Sequence, residues 1–185
     1  ALLCANSVSG HNAVRDQLHA AACACDPCAE IEPLGFIASH PTIRPADILT
    51  SAALPGRSVA LDVGVASPDA AGAGVDCTET MVLNKRGTYA CHADELRRAG
   101  IAYHPVVWSA YGWLHPDAIR VMIAMSRNTT RRRCADNYRG LARGLAARVT
   151  IELWRRPASM VLWCWPAPGV PGDTVVGTSY ELLQA

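Results

Sequence analysis

Two aspartates fifteen positions apart each sit inside an apolar, strand-like run: Asp47 in Arg44-Pro45-Ala46-Asp47-Ile48-Leu49, and Asp62 in Ser58-Val59-Ala60-Leu61-Asp62-Val63-Gly64-Val65. An ionised carboxylate flanked by Ile, Leu and Val is costly to desolvate unless a cation shares its site. Two such carboxylates on neighbouring strands therefore suggest a divalent metal, Mg2+ or Mn2+, held by hard oxygen ligands. Lys85 follows in Asn84-Lys85-Arg86-Gly87-Thr88-Tyr89, on an expected helix. Two acids and an ammonium group are the residue types that metal-assisted phosphodiester cleavage needs. In that chemistry Asp47 and Asp62 hold the metal, and Lys85 orients a water or neutralises charge developing on the phosphate. Accessory candidates are Glu32 as a further ligand or general base, Glu79 as a similar outside candidate, and Tyr89, one turn beyond Lys85, as a brace. His11 and Asn12 are candidates for contacting a phosphate or for capping the first helix. The plain alternatives are a hydrogen-bonded strand aspartate, an exposed edge glutamate, a solvated lysine and a tyrosine that only packs.

The elements that must position these groups follow from periodicity. Val14, Leu18, Ala21 and Ala22 recur at helical spacing and predict a helix over 10–24, started by Ser9-Gly10. Residues 30–37 alternate weakly and predict an edge strand, because Pro33 is tolerated only at an edge or a bulge. Residues 46–50 and 57–66 predict a strand pair joined through Pro55-Gly56. In the second strand Val59, Leu61, Val63 and Val65 share one face, while Ala60, Asp62 and Gly64 share the other. Asp62 is thus expected on a small, open face with room for a metal and a phosphate. A Pro/Ala/Gly-rich loop over 67–74 leads to an expected helix from Cys77 to Ala99, stopped by Gly100. Gly87 weakens that helix by about 1 kcal/mol relative to Ala and suggests a kink or close packing there. A strand over 101–108, interrupted by Pro105, and helices over 116–132 and 136–155 complete the reading, the last with Asp136 as its cap. That order predicts an α/β core with helices covering a sheet.

The chain has 185 residues, half of them hydrophobic, enough for one domain with a substantial core. Its net charge of +1 argues neither for nor against nucleic acid. The seventeen Lys+Arg are almost all Arg and crowd the stretch from 127 to 156. Arg127, Arg131, Arg132, Arg133, Arg139, Arg143 and Arg148 form either a phosphate-tracking surface or a solvated helical face. Tyr138 is the lone aromatic there, so stacking on single strands is not indicated. No apolar run reaches the ~20 residues of a membrane span, and Pro166 and Pro168 break the longest candidate. The sequence lacks a signal-peptide pattern and an initiator Met, and reads as a piece of something longer. Its eight cysteines therefore argue poorly for a disulfide framework. Cys23-Ala24-Cys25-Asp26-Pro27-Cys28 supplies half of a zinc-ligand rhythm, with His19 or His40 to complete it and free thiols as the alternative. Cys4 is a candidate last ligand of a finger lying upstream.

The order Asp47, Asp62, lysine resembles the PD-(D/E)xK, restriction-endonuclease-like nucleases. In their common pattern the lysine lies two residues beyond the second acid, where this chain has Gly64. A lysine moved to the next helix, as Lys85 is, resembles the endonuclease domain that follows the reverse transcriptase in site-specific non-LTR retrotransposons. Gly10-His11-Asn12-Ala13-Val14-Arg15 resembles that branch's Arg-His-Asn opening, with Gly10 in place of Arg. Lys85-Arg86-Gly87-Thr88-Tyr89 resembles its Lys-x-x-Lys-Tyr helix, with Thr88 in place of the second lysine. Leu2-Leu3-Cys4 resembles the end of the preceding zinc knuckle. The resemblance covers about residues 1–125.

It implies a restriction-endonuclease-like core (helix, three-stranded meander, helix, strand) with additional C-terminal helices. The corresponding segments are 1–9 as the end of a zinc-knuckle-like stretch, 10–110 as the core, 111–156 as Arg-rich helices and 157–185 as a tail without a clear pattern. It further implies nicking of target DNA to leave a 3′-hydroxyl that primes reverse transcription. DNA and the reverse-transcriptase domain of the same polyprotein would be the partners, and the nucleus the compartment for a eukaryotic element. Arg44, Arg86, Arg131, Arg132 and Arg133 are the expected DNA contacts. A decayed copy that no longer cuts, a non-catalytic nucleic-acid-binding module and a structural polyprotein domain are the competing readings.

Overall fold

The structure, a computed structural model, describes residues 7–133 and 137–164. Helix α1 (Ser7–Cys23) opens it and buries Val14, Leu18 and Ala22 completely, one helical turn apart. The chain then turns at Asp26, whose carboxylate accepts from the Thr50 hydroxyl (2.9 Å), the Ser51 amide (2.6 Å), the Ser51 hydroxyl (2.9 Å) and the Cys28 amide (3.1 Å). This buried acid fastens the loop after α1 to the sheet.

Strand β1 is only Glu30–Ile31. The expected strand over 30–37 stops there because Glu32 adopts φ 47° and Pro33 follows without an amide hydrogen to pair. Strand β2 (Ile48–Leu54) turns through Pro55 and Gly56, the latter at φ 70°, into β3 (Arg57–Ala66). The register of β2 and β3 shifts between Thr50 and Leu54, and Asn128 caps the irregularity by donating to the Ala52 carbonyl at 2.7 Å. Strand β4 (Ile101–Ser109) pairs with β3 in parallel, giving one four-stranded mixed sheet in the order β1-β2-β3-β4. Pro105 is accommodated because β4 is an edge of the sheet, with no second strand among the described residues waiting for its missing amide hydrogen.

Between β3 and β4 the expected single helix over 77–99 is broken. Helix α2 (Cys77–Tyr89) is capped by Asp76, which accepts from the amides of Thr78 and Glu79. A 3-10 turn over Ala90–His92 and a short α3 (Ala93–Arg98) follow, and Gly100 at φ 72° ends the segment. Gly87 is not a packing glycine: a Cβ there would meet nothing within 4 Å.

Helices α4 (Pro116–Arg133) and α5 (Tyr138–Cys164) complete the described residues. The side chain of Asn137 accepts from the Gly140 amide at 2.8 Å and caps α5, while Asp136, the expected cap, lies outside the described residues. Ala142, Leu145, Val149 and Leu153 recur at helical spacing. Of these, Leu145, Val149 and Leu153 join Val121, Met122 and Met125 of α4 in the main core. The result is a mixed α/β fold: α2 on one face of the sheet, α1 and α4 on the other, with α5 packed against α1 and α4. Strand β3 lies between two strands and two helical layers. Val59, Leu61 and Val63 enter the main core, while its other face meets the smaller cluster of Val82, Cys77 and Met81. That second face carries Asp62.

Candidate active site

Asp62 sits mid-strand in β3, its residue only 8% exposed. From α2 above it, the Lys85 ammonium donates to Asp62 Oδ1 at 2.6 Å. From β4 beside it, the Tyr103 hydroxyl donates to Asp62 Oδ2 at 2.5 Å. Lys85 is the chain's sole lysine. Gly64, two residues along the same face, supplies the space: a Cβ there would lie 2.8 Å from Lys85 Cε and 2.7 Å from Met81 Sδ.

Asp47 is not a strand residue, as expected from its run, but lies in a bend one position before β2. Its backbone is still locked to the sheet, the amide donating to Leu61 O at 2.9 Å and the carbonyl accepting from the Glu32 amide at 2.8 Å. The carboxylate therefore escapes strand alternation and turns toward β3. Oδ2 accepts from the Val63 amide at 2.7 Å, and Oδ1 accepts from His11 Nε2 at 3.0 Å. Asp47 is thus pinned to the residue adjoining Asp62.

The two acids differ electrostatically. Burial pushes the Asp62 carboxyl up, and the Asp47 charge adds to that; Lys85 and Tyr103 pull the other way without offsetting it. Burial also pushes Asp47 up, but His11, the Val63 amide and the Lys85 charge outweigh it and hold the carboxyl below its ordinary value. The lysine charge is therefore felt by both carboxylates. Burial and the Asp62 carboxylate hold the Tyr103 phenol well above its usual range, so it remains a proton donor.

Tyr89, at the end of α2, borders the site. Its hydroxyl donates to the Arg44 carbonyl at 3.1 Å, and its ring lies 5.0 Å from that of Tyr103, tilted by 51°. It ties α2 to the segment that delivers Asp47. His11 reaches Asp47 from within α1, four residues past the helix start, so it is not a cap. Asn12, also inside α1, makes no side-chain hydrogen bond among the described residues. Glu32 points its carboxylate at Arg15 and Arg44, both at 2.5 Å. Its contribution to the pair is the backbone amide that holds Asp47. Glu79 is likewise engaged elsewhere, accepting from His115 Nε2 at 2.7 Å while His115 Nδ1 accepts from the Asp117 amide at 3.1 Å.

The arginines separate into two groups. Arg44 is paired with Glu32, and Arg86 with Asp117 at 2.8 Å. Arg131, Arg132 and Arg133 are exposed in the last turn of α4 and form no ion pair among the described residues. Near them Arg127 and Arg139 flank the Tyr138 ring at 4.8 and 5.9 Å. This basic corner belongs to the helical layer on the opposite side of the sheet from Lys85. The cysteines do not converge either. Cys25 is buried with its thiol donating to the Ala22 carbonyl at 3.2 Å, Cys23 contacts His19, Cys28 is exposed, and Cys4 lies outside the described residues. Among the described residues no three His, Cys, Asp or Glu side chains form a metal-ligating group.

No family model, curated protein or solved structure matches this chain. The site thus stands on its own geometry. Tyr103 is the member that sequence reasoning missed. It shares a face with Pro105 and Val107 of β4, and only the parallel register, which sets it beside Ala60, shows that it reaches Asp62.

Proposed function

We propose that this chain is a metal-dependent DNA endonuclease domain with a restriction-endonuclease-like core, part of a retroelement polyprotein, and that it nicks target DNA to prime reverse transcription. The observation that carries this reading is the meeting of Lys85 from α2 with Asp62 of β3, at the point where Asp47 is fastened to Val63. The helix, antiparallel meander, helix and parallel strand, in that order, are compatible with the same family.

The donor set suits a hard divalent cation. Each of the four carboxylate oxygens accepts one hydrogen bond, from His11, Val63, Lys85 or Tyr103, and each retains a second lone pair. The mutual repulsion of Asp47 and Asp62 is what a shared cation would offset. Mg2+ or Mn2+ held by these two residues would polarise a phosphodiester and acidify a bound water. The protein's own groups do the rest. Lys85 presents a positive charge to the phosphate oxygens as negative charge builds on them. Tyr103 fixes the rotamer of Asp62, and His11 and the Val63 amide fix that of Asp47, so neither acid must reorganise during the reaction. The Arg-rich corner of α4 and α5, across the sheet from Lys85, would hold phosphates of the DNA remote from the cleaved bond. The reverse-transcriptase domain would be the covalent partner, and the nucleus the compartment in a eukaryotic host.

The test is nicking of supercoiled plasmid with Mg2+ by the wild-type chain, Asp62→Ala and Lys85→Met. We expect nicking by the wild type and a loss of about 10²-fold or more in both variants. Equal nicking by all three removes the assignment. Salt-dependent DNA binding without cleavage, surviving the loss of both aspartates, replaces it with a binding module.

A further inference from the structure

We infer that Gly64 is a positioning residue: its missing side chain is the passage through which Lys85 reaches Asp62. On β3, Asp62 and Gly64 are i and i+2, so both project from the face under α2, about 7 Å apart. On α2, the Lys85 stem has to run along the helix–sheet interface to bring its ammonium to Asp62 Oδ1 at 2.6 Å. A Cβ at position 64 would stand 2.8 Å from Lys85 Cε, 2.7 Å from Met81 Sδ and 3.1 Å from Val107 Cγ2. The first two are closer than carbon and sulfur atoms approach without displacement.

Glycine is not required here by the backbone, since Gly64 is an ordinary strand residue and not among the positive-φ glycines. Space is the requirement. The neighbours on this face, Ala60 and Ala66, show that a methyl group is tolerated elsewhere along the strand. Position 64 has the lysine stem lying over it. Met81 can withdraw by rotating its thioether. Lys85 Cε carries the ammonium directly, so the shift that clears a methyl group at position 64 is passed on to the contact with Asp62. Filling position 64 therefore acts on the ion pair, leaving α2 and β3 in place.

The kinetic arm of this inference rests on the nuclease reading; the structural arm does not. Because Lys85 is the chain's only lysine, its Cε and Hε resonances are a unique probe in protein labelled with 13C-lysine. In the wild type the signal should shift on Asp62→Asn, reporting the contact. In Gly64→Ala it should move to the position of that variant and stop responding to a further Asp62→Asn change. Nicking by Gly64→Ala should fall about 10- to 100-fold, the cost of displacing a catalytic group by up to an ångström, approaching that of Lys85→Met. If Gly64→Ala fails to fold, Gly64→Ala with Met81→Ala removes the thioether clash and is read in the same way. A folded variant whose Lys85 signal stays at the wild-type position overturns the inference. A wild-type chain that never nicks sinks the nuclease reading, and the lysine signal still decides the role of Gly64.

Discussion

Exchanging each aspartate for asparagine should change stability in opposite directions, although the two side chains share one site. Asp62 is buried, and its carboxyl is pushed above its ordinary value of 3.8, with burial the largest cause. Its charged form is thus less welcome in the folded protein than in the unfolded chain. The contribution of such a group is favourable below pH 3.8 and is lost as pH rises through the folded value. At pH 7 ionised Asp62 therefore costs stability, and Asp62→Asn should relieve that cost. Replacing both members of a buried pair is commonly neutral to stabilising by ~1–4 kcal/mol, whereas removing one partner costs ~3–5 kcal/mol when the other charge stays buried. Asparagine keeps a polar group in place, and Lys85, its side chain 23% exposed, can turn its ammonium to water and escape that penalty, so we expect a gain of about 1 kcal/mol at most. Asp47 has the reverse sign. Burial is overcome by His11, the Val63 amide and Lys85, and the carboxyl lies below 3.8. Its stabilising effect is present above pH 3.8 and is lost as pH falls through the folded value. An asparagine carbonyl can accept from His11 or from Val63 but its amide repels the other, and hydrogen bonds to charged acceptors are worth ~1.5–3 kcal/mol. Asp47→Asn should therefore cost about 2 kcal/mol at pH 7. Urea unfolding in EDTA at pH 7, with a series down to pH 3, measures both. The two variants should diverge at neutral pH and converge with the wild type in acid. An Asp62→Asn chain clearly less stable than the wild type at pH 7, or an Asp47→Asn chain more stable, refutes this account of the site.

Tyr103→Phe should leave Asp62 Oδ2 without its donor, costing about 1–2 kcal/mol in stability. With that donor gone the Asp62 carboxyl rises further, so the acidic limb of the nicking pH profile should move to higher pH; an unmoved limb would exclude the contact from catalysis. Asp26→Ala should cost about 2 kcal/mol in urea unfolding, because it strands the buried Thr50 hydroxyl and removes the acceptor of the Ser51 amide. Burial raises the Asp26 carboxyl, but the Ser51, Thr50 and Cys28 donors hold it below 3.8, so the gap between wild type and variant should close as pH falls through that lowered value. Combined Arg131→Ala, Arg132→Ala and Arg133→Ala should reduce the salt dependence of DNA affinity, the log–log slope falling by about 0.9 for each phosphate that is no longer neutralised. An unchanged slope would show that DNA lies elsewhere.

Much of the scaffold was legible locally. The alternation that separated Val59, Leu61 and Val63 from Ala60, Asp62 and Gly64 is the division between the two cores, and the strand limits 57–66 match β3. A period of two fixes which side chains share a face whatever the strand's neighbours are. The same holds for α1 and α5, where helical spacing of small and apolar residues marks the buried stripe. Elements governed by backbone detail were less legible. Glu32 at positive φ cut β1 short, and the 3-10 turn after Tyr89 broke a helix whose composition runs on to Ala99.

The site divides in the same way. Asp62 announces itself as a carboxylate in an apolar strand, because desolvation cost is a local property of the run. The bend that aims Asp47 at Val63, the arrival of Tyr103 and the gap over Gly64 are set by pairing between residues 16 to 41 positions apart. A linear chain states which groups it owns and which face each takes within its element. Register and the approach of α2 to the sheet decide which groups touch, since both depend on how distant surfaces fill space against one another. Only the folded chain shows that a glycine on β3 and a lysine on α2 occupy the same few ångströms.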